Sequence, residues 1–336
     1  MRKLASVQII KELIPIEGAD RIEIASMEGS LWQVVVGKGL HKPGDHVIYC
    51  EIDSVLPLEH FPELEKTNGR IKTMKLRGVY SQGYILPIMV ACEVVRLRGY
   101  TVNFSVGSEW TTALGITKYE PPATFHCGDM AGVFPSHLIE QTDEERIQNI
   151  PEICEELRGQ PYWITVKMDG TSASYVYDYE AFLACSRNNA RKDGDNVYWN
   201  LARQYNLPVV LAHDAGRWAV QGEACGPGIQ KNPLGLDKHD LFIFNVVDKI
   251  TRKRLDYDQL ASFCDTYKLA PVPLLEKGDS FNYTPDQLLT LAEGKYPSGK
   301  EREGIVIRGL GRAVVRKGDH MSFKAISNRY LSKGGE

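Results

Sequence analysis

YWITVKMDGTSASYVYDYEAFLACS, residues 162–186, decides how this chain is read. Aromatic and β-branched residues run into Lys167, and the turn dipeptide Asp169-Gly170 follows almost at once. The lysine therefore stands where a strand leaves the core. A lysine held partly desolvated near other cations has a lowered pKa and becomes a nucleophile. Alone, Lys167-Met168-Asp169-Gly170 describes equally well a surface strand ending in a turn, with its lysine in water. The surroundings have to decide.

Downstream, RWAVQGEACG, LFIFNVVD, EGIVIRGL and RAVVRKG read as further strands, with helical segments at VYWNLARQYN and YDQLASFCDTYKL. Strands and helices mixed without strict alternation indicate an α+β domain. Just upstream, QTDEERIQNIPEICEELRG carries a helix-start signal. Thr142 and Glu145 stand at capping-box spacing, Ile147, Ile150 and Ile153 follow at helical offsets, and Pro151 limits the helix. The Pro- and Gly-rich PPATFHCGDMAGVFPSHL reads as a connection. Residues 1–90 hold about five short β-branched runs separated by turn signals, among them RIEIASME, LWQVVVGKGL and DHVIYCEI. They suggest a small closed barrel of OB type, although a small sandwich has the same periodicity. The expected organisation is an OB-like module over 1–100, a connecting segment over 101–138 and a second domain over 139–336. A length of 336 residues suits two domains.

Composition narrows the function classes. There are 40 basic and 43 acidic side chains, net −3, with 43% hydrophobic and 25% charged residues. That excludes a coiled coil, a collagen-like repeat and a largely disordered chain, and argues against binding nucleic acid by bulk charge. The balance is uneven, because residues 299–336 carry nine basic and four acidic side chains. The seven cysteines are scattered without a C-x-x-C pair, which suggests neither a disulfide framework nor a zinc knuckle. There is no signal-peptide pattern and no apolar run near the ~20 residues of a membrane span. A soluble, cytoplasmic protein is expected.

Five short elements follow the lysine in order: Ser186-Arg187-Asn188, Gly222-Glu223, Phe242-Ile243-Phe244-Asn245, Glu303-Gly304-Ile305-Val306 and Phe323-Lys324. Each has an ordinary explanation by itself, as a turn carboxylate, a surface ion pair, a core aromatic or a solvated edge charge. Their joint occurrence in this order is hard to obtain by accident. KMDGTS, SRN, GE, FIFN, EGIV and FK together resemble the collinear motifs of covalent nucleotidyltransferases. That superfamily comprises ATP-dependent DNA ligases, RNA ligases and mRNA-capping guanylyltransferases. The resemblance spans roughly residues 140–335. PIEGADRIEIASMEG, GDHVIYCEIDSVLP and KLRGVYSQGYILP resemble the N-terminal OB module of one RNA ligase clade, and TDEERIQN its lead-in to the nucleophile. DNA ligases and capping enzymes carry an OB domain after the last motif, whereas here Lys324 is followed by too few residues for another domain.

The resemblance implies an OB-like β-barrel followed by an antiparallel-sheet nucleotidyltransferase domain, and an ATP-dependent RNA ligase. It would join 3′-hydroxyl and 5′-phosphate RNA ends, in a nicked duplex, as a monomer. Lys167 would accept AMP. Asp169, Glu223 and Glu303 would hold Mg²⁺ or Mn²⁺ through water, Glu223 serving alternatively the ribose. Arg187 would contact ribose or RNA phosphate, Phe244 would stack on adenine, Lys324 would meet the α-phosphate, and Arg146 would orient the leaving pyrophosphate. Phe242 is the core alternative to the stacking Phe244, and a helix-surface ion pair the alternative for Arg146. Many relatives place a second lysine two residues after Lys324. Here that position is Ile326, so the role would pass to Lys317 or Arg316. In the front module Lys72, Lys75 and Arg77, with Tyr80 and Tyr84, would track a nucleic-acid backbone, or the module would simply cap the catalytic domain. The competing readings are a capping-type guanylyltransferase, a DNA ligase, or a non-catalytic RNA-binding protein. Intact Lys167, Asp169, Glu223 and Glu303 speak against the last.

Overall fold

In the computed structural model, which describes residues 3–119, 129–179, 181–309 and 321–333, Tyr162–Lys167 is an interior strand. It lies in a five-stranded sheet ordered Glu145–Arg146, Met321–Ile326, Gly304–Gly309, Tyr162–Lys167 and Leu274–Gly278. Buried Tyr162, Trp163 and Ile164 explain its near-continuous apolar start, since strands with neighbours on both sides carry little solvent-facing polarity. Antiparallel pairing sets Lys167 opposite Gly304, which brings Glu303 beside it. Gly304 permits this register. A Cβ there would lie 2.2 Å from the Ala325 carbonyl oxygen, so no other residue fits without moving backbone.

Beyond Asp169-Gly170 the chain enters an eight-stranded sheet. Residues 171–185 form two strands, Thr171–Asp178 and Ala181–Cys185, with Tyr179 in left-handed conformation (φ 52°) between them. Thr171–Asp178 pairs with Trp218–Cys225 so that Ser172 faces Glu223, and Asp240–Asp248 lies on the far side of Trp218–Cys225. The two expected helices form at Val197–Gln204 and Tyr257–Tyr267. Asn196 caps the first, and an Asp256–Gln259 capping box starts the second. Their apolar residues Tyr198, Leu201, Leu260 and Cys264 share a core cluster with Tyr175, Val220 and Ile243 of the sheet.

The helix expected from Thr142 does not form. Residues 145–146 are instead a short strand parallel to Phe323-Lys324, Ile147–Asn149 is a single 3₁₀ turn, and an α-helix appears only at Ile153–Leu157. The Thr142 hydroxyl sits 3.3 Å from the Ser172 hydroxyl, and Arg146 and Ile147 are buried. Pairing with a sheet edge has overridden a weak local propensity. RAVVRKG lies outside the described residues.

The chain divides into two compact units, Met1–Ala123 with Gln148–Pro151 and Leu331–Glu336, and Thr124–Ile147 with Glu152–Tyr330. The front unit holds a five-stranded antiparallel sheet ordered Gln33–Gly37, Ile22–Met27, Ala5–Pro15, His46–Cys50 and Tyr84–Pro87. Its ends meet: the Gln82 N–H donates to the Gln33 carbonyl at 2.9 Å, and the Gln33 side chain donates to the Tyr80 carbonyl at 2.9 Å. This is the closure expected of an OB barrel. A helix at Ile88–Leu97 follows the last barrel strand, and Trp110 is wholly buried within the same unit. No helix among the described residues is long and apolar enough to cross a membrane.

Candidate active site

Lys167 Nζ lies 2.6 Å from Glu303 Oε1, with the lysine side chain about a quarter exposed (24%) and the glutamate nearly enclosed (5%). A tyrosine fastens the two strands behind this pair. Tyr296 Oη donates to the Lys167 carbonyl at 2.7 Å and accepts the Glu303 N–H at 3.2 Å. The Ser327 N–H donates to the Glu303 carbonyl at 2.8 Å. Asp169 is buried, and its Oδ2 accepts a 2.8 Å hydrogen bond from Tyr330 Oη. Between them Gly170 passes so close to the Glu223 strand that a Cβ would lie 2.3 Å from the Ala224 carbonyl oxygen. The glycine thereby lets the nucleophile's turn press against Glu223.

Glu223 reports how much charge collects there. Burial raises its carboxyl to about 8, Glu303 and Asp169 push in the same direction, and Lys167 and Arg187 oppose them. Three carboxylates and one amine thus feel one another, and a cation would relieve their repulsion. Among the described residues no three His, Cys, Asp or Glu side chains stand close enough to ligate one ion directly. The donor set suits a hard divalent ion that keeps its own water, not one stripped by a protein cage.

A second group flanks this centre. Exposed Arg187 Nη2 lies 3.2 Å from Asp143 Oδ2, and Asp143 Oδ1 lies 3.7 Å from Lys324 Nζ. Arg146 is buried and pairs with Lys324 through the backbone, so it is no helix-surface residue. Phe242 and Phe244 share one face of strand Asp240–Asp248, and both pack on the cluster containing Met168 and Tyr296. Ile326 is wholly buried opposite Gly304, a core position instead of a cation's. Lys317 and Arg316 lie outside the described residues. In the front unit, Lys72, Lys75 and Arg77 are exposed on or beside the hairpin Met74–Leu76/Val79–Ser81. Lys75 Nζ stands 5.4 Å from the Tyr80 ring centre, and Tyr84 Oη donates to Glu63 at 2.7 Å.

A family model for RNA ligase matches residues 160–326, and one for an OB-fold domain matches residues 4–88. Solved structures of Naegleria gruberi RNA ligase resemble the whole chain. One with AMP and Mn is 33% identical over 99% of this chain and 99% of that one, with a TM-score of 0.86. Another, with ATP and Mn, is 33% identical over 98% and 99%, and one with pyrophosphate 33% over 99% and 99%, each at TM-score 0.86. The chain belongs to the RNA ligase family.

Membership in the RNA ligases selects among the enzyme readings left open by the motifs, and the OB module ahead of an antiparallel-sheet domain is the architecture expected. Within the ligase domain, Lys167, Asp169, Glu223 and Glu303 converge on one turn. Arg187 and Lys324 converge on Asp143. Asp143, Tyr296 and Tyr330 were not singled out from the sequence. Asp143 lay in view in TDEER, three residues before Arg146, but no spacing rule ties it to Arg187. The tyrosines had no signal at all, lying 129 residues from Lys167 and 161 from Asp169.

Proposed function

We propose that the protein seals RNA by joining a 3′-hydroxyl to a 5′-phosphate at the expense of ATP, with Lys167 as the AMP acceptor. The observation that carries this reading is the partly exposed Lys167 amine held 2.6 Å from Glu303 beside Asp169 and Glu223. The ATP, AMP and pyrophosphate of the Naegleria gruberi structures support it: ATP and pyrophosphate are the substrate and leaving group of the first step, and AMP is the group transferred and finally released. In that step Lys167 Nζ, having lost its proton, bonds to the α-phosphorus of ATP while the α–β phosphoanhydride bond breaks and pyrophosphate leaves. Glu303, 2.6 Å away, orients the amine and is placed to accept its proton. AMP then passes to the RNA 5′-phosphate, and attack by the 3′-hydroxyl forms the phosphodiester and frees AMP.

Asp169, Glu223 and Glu303 hold Mg²⁺ or Mn²⁺ through its waters. The ion, when bound, neutralises phosphate charge and favours the unprotonated amine. Lys324 and Arg187 bind α-phosphate and ribose or RNA phosphate, Arg146 orients pyrophosphate, and Phe244 stacks on adenine with Phe242 beside it in the same packed layer. The domain over 139–336 is the catalytic one, 101–138 the connection, and the OB module over 1–100 grips the RNA backbone with Lys72, Lys75 and Arg77. The substrate is a nicked duplex, and the enzyme works as a monomer. The six described cysteines are all free, which supports a reducing, cytoplasmic location.

The test is covalent labelling. The protein is incubated with divalent metal and ATP or GTP labelled at the α-phosphate, then run on a denaturing gel. ATP alone is expected to leave an acid-labile label that Lys167→Ala abolishes. Label from GTP in place of ATP would favour a capping-type reaction, and no label from either would sink the proposal. Nicked duplexes with RNA or DNA at the 3′-hydroxyl side test the end chemistry, and failure to seal an RNA 3′-end refutes it.

A further inference from the structure

Residues 140–146 are engaged one after another with the walls of the site. The Glu140 carbonyl accepts from Gln221 Nε2 at 2.9 Å, and Gln141 Nε2 donates to the Arg187 carbonyl at 3.0 Å. Thr142 meets Ser172, Glu144 meets Arg308 at 3.5 Å, and Arg146 pairs with the Lys324 strand. Held on both sides, this strap sets the Asp143 carboxylate between Arg187 and Lys324, one oxygen toward each.

We propose that Asp143 is a resident anion that competes with the nucleotide: it engages both Arg187 and Lys324 and must yield them to the incoming phosphates. The inference rests on the function proposed above, in which those two cations meet the nucleotide. Two like charges brought together without an anion repel and turn outward into solvent. A carboxylate between them offsets the repulsion and presents both toward the same space. It also competes with ATP for the same partners, so nucleotide binding must displace it. Arg187 and Asp143 are each more than a third exposed, so each pair is screened and worth only a few-fold in affinity.

The experiment measures ATP binding by calorimetry with Mg²⁺ in a Lys167→Ala background, where no covalent step intervenes. Adding Asp143→Asn is expected to tighten ATP binding about three- to tenfold at low salt, an advantage that fades as ionic strength rises. Asp143→Glu, which keeps the charge, is expected to stay within about twofold of the parent. In the otherwise unaltered enzyme, Asp143→Asn lowers the ATP concentration for half-maximal lysyl-AMP formation without raising the saturated rate. A merely structural aspartate predicts weaker binding or none of these shifts. Asp143→Ala, with melting curves for each variant, guards against a folding artefact of the asparagine. Unchanged or weakened ATP binding in folded Asp143→Asn and Asp143→Ala overturns the proposal. Arg187→Ala and Lys324→Ala in the same background test the reading beneath it. If neither weakens ATP binding, the nucleotide assignment of the cations falls. If both do while the Asp143 variants do not tighten it, only the role of Asp143 falls.

Discussion

Two tyrosine hydroxyls brace the turn that carries the nucleophile. Tyr296 joins the Lys167 carbonyl to the Glu303 amide, and Tyr330 holds one oxygen of Asp169. A phenol donating to a buried carboxylate fixes its rotamer. Tyr330→Phe keeps the ring and removes that bond. It is expected to cost about 1.5–3 kcal/mol of stability in chemical denaturation. It should also slow lysyl-AMP formation about 10- to 100-fold in rapid-quench measurements. A variant as fast as the parent would show that Asp169 needs no such brace. The same residues mark where sequence reading stops. Lys167, Asp169, Glu223 and Glu303 were legible because each lies in a short motif, KMDG, GE or EGIV, whose order along the chain resembles that of the nucleotidyltransferases. Tyr296 and Tyr330 reach the turn only through sheet register and the fold of the chain's last described segment, which no local pattern encodes.

Among elements, the strands were read better than their junctions. A β-branched run bounded by turns identifies itself, whereas the short parallel pairing of residues 145–146 with Phe323-Lys324 depends on a partner far along the chain. Hence three isoleucines at helical offsets pointed to a helix that the sheet edge displaced. The junction after Asp240–Asp248 shows how such ends are secured. Asp248 accepts from Arg217 Nη2 at 2.5 Å and from the Ile250 and Thr251 amides at 2.9 and 3.3 Å. The arginine first, aided by those amides, holds its carboxyl well below the ordinary value of 3.8. A depressed folded-state pKa contributes stability above the unfolded value, and that stability is lost as pH falls below it toward the folded one. Asp248→Asn is therefore expected to cost about 1–3 kcal/mol at pH 7. The gap between variant and parent should narrow as urea-unfolding midpoints are followed from pH 5 downward through the ordinary value of 3.8. A gap that stays constant would assign the loss to turn geometry and not to charge.

For the whole molecule, a net charge of −3 conceals local cations: three exposed in the front unit at Lys72, Lys75 and Arg77, and an excess in residues 299–336. Binding to phosphates through such groups releases counterions, so affinity falls with salt in proportion to the contacts made. Replacing Lys72, Lys75 and Arg77 together by alanine is expected to weaken binding to a nicked RNA duplex. It should also flatten the plot of log K against log salt by roughly two to three units of slope. An unchanged slope would leave the front barrel a structural cap.

The register that sets Lys167 opposite Gly304 also carries a consequence for biosynthesis. A nascent chain that has just produced the lysine strand has none of the partners that flank it. Leu274–Gly278, Gly304–Gly309 and the brace from Tyr296 are all translated later, the tyrosine 129 residues after the lysine. Until then Tyr162, Trp163 and Ile164 form an unpaired apolar edge, the kind of segment that chaperones cover and that aggregates when they do not. The barrel strands through Tyr84–Pro87 have meanwhile all been made. Ribosomes stalled before residue 304 should therefore hold a chain with no capacity to label itself with AMP, and the nucleophile is armed only after Gly304–Gly309 has been made.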